Sequence, residues 1–83
     1  MVKVKLLFFA KARELSGKKE ALLDLPQSST SYKELLEVIV KEHSLDLIKA
    51  NVILAQNEEY IETGEVELKE GDEIAVIPPL SGG

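Results

Sequence analysis

The stretch Ile74-Ala75-Val76-Ile77-Pro78-Pro79-Leu80-Ser81-Gly82-Gly83 ends in a carboxylate on a residue without a Cβ. That is the least hindered acyl group a polypeptide can offer, and it fits where a partner's backbone comes close. Such an end suits chemical activation at its carboxyl carbon. The first four residues read as a buried strand. Pro78 and Pro79 have no N–H to give to a sheet and fix φ, so the chain is expected to leave the sheet stiff and extended, loosening only at Gly82 and Gly83. Residues 78–83, fully extended, reach about 20 Å beyond the fold. The alternative is a frayed end with no role. Against it stands the direct passage from a dense apolar strand into Pro-Pro-Leu-Ser-Gly-Gly, with no charged spacer between.

Other residues that do chemistry elsewhere are isolated here. The chain has no cysteine, which excludes a disulfide frame, a thiolate nucleophile and a Cys-rich zinc site. His43 is the single histidine. It sits at the end of a helical pattern with no second histidine nearby, which makes a poor metal site and reads as capping or edge packing. Glu58 and Glu59 are adjacent carboxylates that read as a solvated turn, since adjacency alone does not imply acid/base work.

Composition narrows the classes further. Ten basic against fifteen acidic residues give a net charge of −5, with no basic cluster interleaved with aromatics. Nucleic acid is therefore not an expected ligand. No apolar run approaches the ~20 residues of a membrane helix, and Met1-Val2-Lys3-Val4 lacks the pattern of a signal peptide, so a cytoplasmic location without membrane contact is expected. At 83 residues, 45% hydrophobic and 30% charged, the chain fits one globular domain with one modest core.

The elements that position the terminal strand follow from periodicity. Val2, Val4, Leu6 and Phe8 alternate onto one face, and the strand becomes apolar on both faces toward Phe9. Ala10 to Leu15 are good helix formers, stopped at Ser16-Gly17. Ala21, Leu23 and Leu25 share one face of a second strand, ended by Pro26 and paired antiparallel with the first. Gln27 to Thr30 reads as a polar loop. Ser31 and Glu34 have the spacing of a capping box, and the stripe Tyr32, Leu35, Leu36, Ile39, Val40, His43 predicts a one-sided helix with Glu37 and Lys41 as an outward pair. A short helical turn at Leu45–Ala50 precedes an apolar run, Val52–Ala55, expected as a central strand. Gln56–Glu59 reads as a turn, Tyr60-Ile61 as a short strand cut at Thr63-Gly64, and Glu65–Leu68 buries Val66 and Leu68. Gly71 turns the chain into the last strand, Glu73–Ile77.

Strand, strand, helix, strand, short strand, strand predicts an α+β fold: a mixed sheet of about five strands with one main helix across one face. The first and last strands are expected as parallel neighbours at its centre. That is the ubiquitin-like β-grasp arrangement, with residues 1–77 as the domain and 78–83 as a flexible C-terminal tail.

With that order and the tail together, the chain resembles the small, sulfur-carrying subunits of molybdopterin synthase among the ubiquitin-like β-grasp proteins. Three stretches carry the resemblance: Leu7-Phe8-Phe9-Ala10-Lys11-Ala12-Arg13-Glu14-Leu15-Ser16-Gly17, then Glu70-Gly71-Asp72-Glu73-Ile74-Ala75-Val76-Ile77-Pro78-Pro79, and Leu80-Ser81-Gly82-Gly83. The resemblance implies that an E1-like adenylating partner uses ATP to activate the Gly83 carboxylate, and that a sulfur donor protein then makes it a thiocarboxylate. The tail, Pro78, Pro79, Leu80, Ser81 and Gly82, next enters the large subunit, where sulfur passes to cyclic pyranopterin monophosphate and two donations build the dithiolene.

It also implies a heterotetramer, no permanently bound cofactor or metal, and no catalytic side chain of this chain's own. Arg13 and Glu14 read as a local helix pair or a partner contact. Phe9, Ala75 and Ile77 read as a partner-facing apolar sheet face or, equally, as core. A competing class is a ubiquitin-like modifier joined through Gly83 to target lysines, and another is an interaction module with an inert tail.

Overall fold

The computed structural model describes residues 1–61 and 64–78. Strand β1 (Val2–Phe8) pairs antiparallel with β2 (Glu20–Leu25), from Val2 opposite Leu25 to Leu7 opposite Glu20. Helix α1 (Ala10–Ser16) lies between them and is closed by Gly17 at φ 74°, whose N–H donates to the Arg13 carbonyl at 2.9 Å. A side chain would resist that left-handed backbone, and glycine does not.

Strand β3 (Ser29–Ser31) leads into α2 (Tyr32–His43). The Ser31 hydroxyl accepts from the Glu34 N–H at 3.1 Å and donates to Glu34 Oε1 at 3.1 Å, so the expected capping pair forms with the carboxylate turned to the hydroxyl. A 3₁₀ helix (Asp46–Asn51) then brings the chain to β4 (Ile53–Gln56), β5 (Glu59–Tyr60), β6 (Glu65–Glu67) and β7 (Glu73–Ile77).

The main sheet has five strands in the order β2-β1-β7-β4-β5, with β7 parallel to β1 at its centre. Three expectations need correction. The polar segment read as a loop forms β3, which pairs with β6 in a separate two-stranded sheet. Three residues of Ser-Thr-Ser carry no local strand signal; the ladder exists because the chain returns beside them. The strand expected over Val52–Ala55 does lie inside the sheet, between β7 and β5, but it is shifted by one residue to Ile53–Gln56, and its Ile53 is exposed. Glu37 and Lys41 do not close to ion-pair distance; among the described residues the pairs are Lys5–Glu20 at 3.5 Å and Lys11–Glu14 at 3.8 Å.

The core lies between one face of the sheet and α2. Val4, Leu6 and Phe8 of β1, Ile74 and Val76 of β7 and Leu54 of β4 meet Leu35, Ile39 and Val40 of the helix. Each fully buried Leu or Ile contributes about 1.5–3 kcal/mol relative to exposure. An exposed ion pair contributes about 0–1 kcal/mol, so packing decides this fold.

Candidate docking face at the C-terminal strand

Alternation along a strand sends every second side chain to the face away from α2. On β1 this is Leu7, on β7 Ala75 and Ile77, on β4 Ala55 and Ile53. The registers align them: Leu7 lies beside Ala75, Ala75 beside Ala55, and Ala55 beside Tyr60 of β5. The row runs large, small, small, large across four strands. Two alanines at its middle lower the floor between Leu7 and Tyr60, and the result is an open, mostly apolar cavity of about 310 Å³. Glu58 and Glu73 line it at one side, Phe9 and Ile77 at the other.

Phe8 and Phe9 part company at the end of β1. Phe8 turns into the core, while Phe9 is 45% exposed and faces the cavity. Its backbone is held on both sides: its N–H donates to the Val76 carbonyl at 3.3 Å, and its carbonyl accepts from Ala12 N–H at 2.9 Å and Arg13 N–H at 3.4 Å. The aromatic ring is thus carried by the junction of β1, β7 and α1. An apolar side chain held this way is suited to contact with another molecule.

Of the residues singled out in the sequence, Phe9, Ala75 and Ile77 come together here on the open face, which removes the reading of Phe9 as core. Arg13 is exposed on α1 and does not line the cavity; its neighbour Glu14 pairs with Lys11 rather than with Arg13. Pro78, directly after β7, is buried, so the core runs one residue past Ile77, where it was expected to stop. Pro79, Leu80, Ser81, Gly82 and Gly83 lie outside the described residues, as does Thr63.

Glu58 and Glu59 are exposed at the β4–β5 turn. Glu58 borders the cavity, a placement no adjacency argument could supply. Leu7, Ala55 and Tyr60 were not singled out, because their alignment depends on registers between strands far apart in sequence.

His43 is 9% exposed and belongs to the core rather than to a cap. Ser44, at φ 60°, ends α2 with its N–H on the Val40 carbonyl, which leaves His43 free to pack. Burial is the main cause that lowers its pKa from the ordinary 6.5, with Lys18 adding to the effect and Glu42 opposing it. Among the described residues no group of three or more His, Cys, Asp or Glu is gathered that could hold a metal ion.

A family model described as the ThiS family matches residues 6–83. The molybdopterin synthase sulfur carrier subunit of Drosophila yakuba is 48% identical over 85 residues, covering 100% of this chain and 93% of its own. This chain belongs to that family of sulfur carrier subunits. The Arabidopsis thaliana relative of the same description is 45% identical over 82 residues, covering 99% of this chain and 84% of its own. A solved structure described as a putative molybdopterin converting factor, subunit 1, from Pyrococcus furiosus superposes with a TM-score of 0.79 at 34% identity, covering 96% of this chain and 100% of that one. The family fold is the β-grasp, and the two-layer arrangement described above is that fold.

Proposed function

We propose that this chain is the sulfur carrier of a molybdopterin synthase, with the Gly83 carboxylate as the carrying group. The observation behind this reading is the full-length similarity to sulfur carrier subunits, with a family match that runs to residue 83. In the proposed cycle an E1-like enzyme joins the carboxylate to AMP from ATP, which turns a poor leaving oxygen into a good one. Sulfur delivered by a donor protein at the sulfide level attacks the acyl carbon and expels AMP, which leaves a thiocarboxylate. The large subunit then passes that sulfur to cyclic pyranopterin monophosphate, and two such transfers complete the dithiolene. A chain without cysteine has no side-chain thiol to carry the sulfur instead.

The cavity walled by Phe9 and Ile77 is the surface proposed to anchor the body on the large subunit, while residues 79–83, beyond the buried Pro78, enter as a tail. Extended tails bind through backbone hydrogen bonds, and an apolar patch beside them supplies the anchor. A heterotetramer in the cytoplasm, where ATP is at hand, completes the reading.

Mass spectrometry after incubation with the E1-like enzyme, ATP and the sulfur donor tests it. The expected product is heavier by the difference between sulfur and oxygen at Gly83, and a chain lacking Gly82 and Gly83 gains nothing. High-mass conjugates to lysine without a thiocarboxylate would overturn carriage in favour of protein modification.

A further inference from the structure

The corner of the sheet formed by Asn57, Glu58, Glu59 and Tyr60 is weak by its own means. Strand β5 is two residues long, sits at the sheet's edge and pairs, among the described residues, only with β4, with one further backbone bond from the Ile61 N–H to the Leu54 carbonyl at 2.9 Å. The turn before it has two successive non-glycine residues at positive φ, Asn57 at 49° and Glu58 at 73°. Asparagine tolerates that conformation; glutamate at a position that favours glycine does so at a cost. Yet this corner carries Glu58 and Tyr60, which wall the cavity on the face away from α2.

Its side-chain anchor is Asp72. One carboxylate oxygen accepts from Asn57 Nδ2 at 3.1 Å, and the other accepts from Gln56 Nε2 at 2.9 Å and from the Lys69 N–H at 2.8 Å. Asn57 is gripped from its other side as well: its Oδ1 accepts from the Glu73 N–H at 2.9 Å, and its own N–H donates to the Glu73 carbonyl at 2.8 Å. Gln56 Nε2 also donates to the Glu67 carbonyl at 2.7 Å. The Asp72 carbonyl accepts from the Lys5 N–H at 2.8 Å, so one residue ties the β4–β5 turn, the turn before β7, and β1. Donation from Asn57 and then from Lys69 are the leading causes that lower the carboxyl's pKa, so the knot uses the charged form.

We propose that Asp72 is a positioning residue for docking, holding the Asn57–Tyr60 corner so that Glu58 and Tyr60 present a fixed wall to the large synthase subunit. The role rests on the reading of the Phe9–Ile77 face as the docking surface and gives the Gly71-Asp72-Glu73 stretch a task beyond turning the chain.

The test measures affinity for the purified large subunit together with amide spectra of the free chain. Phe9→Asp reports on the face itself, and Lys33→Ala on α2 serves as the control. Asp72→Asn places an amide N–H where an acceptor is needed, and Asn57→Asp sets two carboxylates against each other. The pair Asp72→Asn with Asn57→Asp exchanges donor and acceptor, keeps the net charge and restores each bond. Either single change is expected to weaken binding by about fivefold or more. The exchanged pair is expected to return to within about twofold of the unsubstituted chain.

Asp72→Asn should add little once Tyr60→Ala is present, because both act on the same wall; a general loss of stability would add in full. Full additivity, no recovery in the exchanged pair, or unweakened binding by folded Asp72→Asn while Phe9→Asp binds poorly would overturn the role and leave the docking face standing. Wild-type binding by Phe9→Asp would remove the face, and the role of Asp72 with it. If Asp72→Asn does not fold, Asn57→Asp and the exchanged pair decide the matter by the same comparison.

Discussion

The rings of Phe8 and His43 meet with centroids 4.9 Å apart and planes inclined at 58°, and the buried His43 Nε2 has no hydrogen-bond partner among the described residues. The contact joins the end of β1 to the last turn of α2. It also places a titratable group where its charged form is poorly solvated.

A two-stage loss of stability on acidification follows. The folded-state pKa of His43 is lowered below the ordinary 6.5, so between the two values the unfolded chain takes a proton that the folded chain refuses. The stabilisation is full above 6.5 and is lost as pH falls from there through the folded value. Asp72, held below its ordinary 3.8, adds a second loss that starts only below that value. Urea unfolding against pH should show both stages, and His43→Leu should erase the upper one. Because an unpartnered nitrogen is removed and volume is nearly kept, stability at pH 8 should stay within about 1.5 kcal/mol of the original. An unchanged upper stage in that variant would assign it to another group.

Ser31→Ala tests how α2 is started. Loss of the hydroxyl leaves the Glu34 N–H without its acceptor at 3.1 Å, at a cost of about 1 kcal/mol. For a domain of this size that is a fall in Tm of about 4–8 °C, and Ser31→Asp should recover most of it. Calorimetry decides; an unchanged Tm would mean that β3, through its pairing with β6, fixes the helix start without the cap.

The proposed docking face predicts unequal effects of charge. Ile77→Asp should weaken complex formation with the large subunit by more than about tenfold, while Lys33→Asp on the opposite layer changes it little. Thermal unfolding of Ile77→Asp should remain cooperative, because Ile77 is only partly buried. Equal effects at Ile77 and Lys33 would argue that the large subunit reads the tail alone.

Gly83→Ala separates carriage from folding. The described core ends at Pro78, so thermal unfolding should shift by no more than about 0.5 kcal/mol equivalent. In the proposed cycle the added methyl would have to pass, in the activating enzyme, where hydrogen was accommodated. A misplacement of about 1 Å there can slow a reaction on the order of a hundredfold. Single-turnover adenylation with ATP should show that slowing, and a wild-type rate would mean that the terminus is not closely enclosed.

The sequence by itself determined the parts that neighbours along the chain decide. Alternation in Val2–Phe8 and Glu73–Ile77, the Ser31–Glu34 cap and the stops at Gly17 and Gly71 each depend on residues a few positions apart, and each appears where it was expected. The parallel pairing of β1 with β7 was also legible, because a helical crossover leaves few ways to return. Tertiary structure alone decided the rest. Ser29–Ser31 became a strand only because Glu65–Glu67 came to lie beside it. Ala55 and Ala75 became the floor of a cavity only through a register that sets them side by side between Leu7 and Tyr60. His43 went into the core because Ser44 took the cap and Phe8 offered a ring to pack against. Each of these is a contact between segments far apart in the chain, whose free energy depends on which partner arrives and in which register, and the residues on either side carry no record of that.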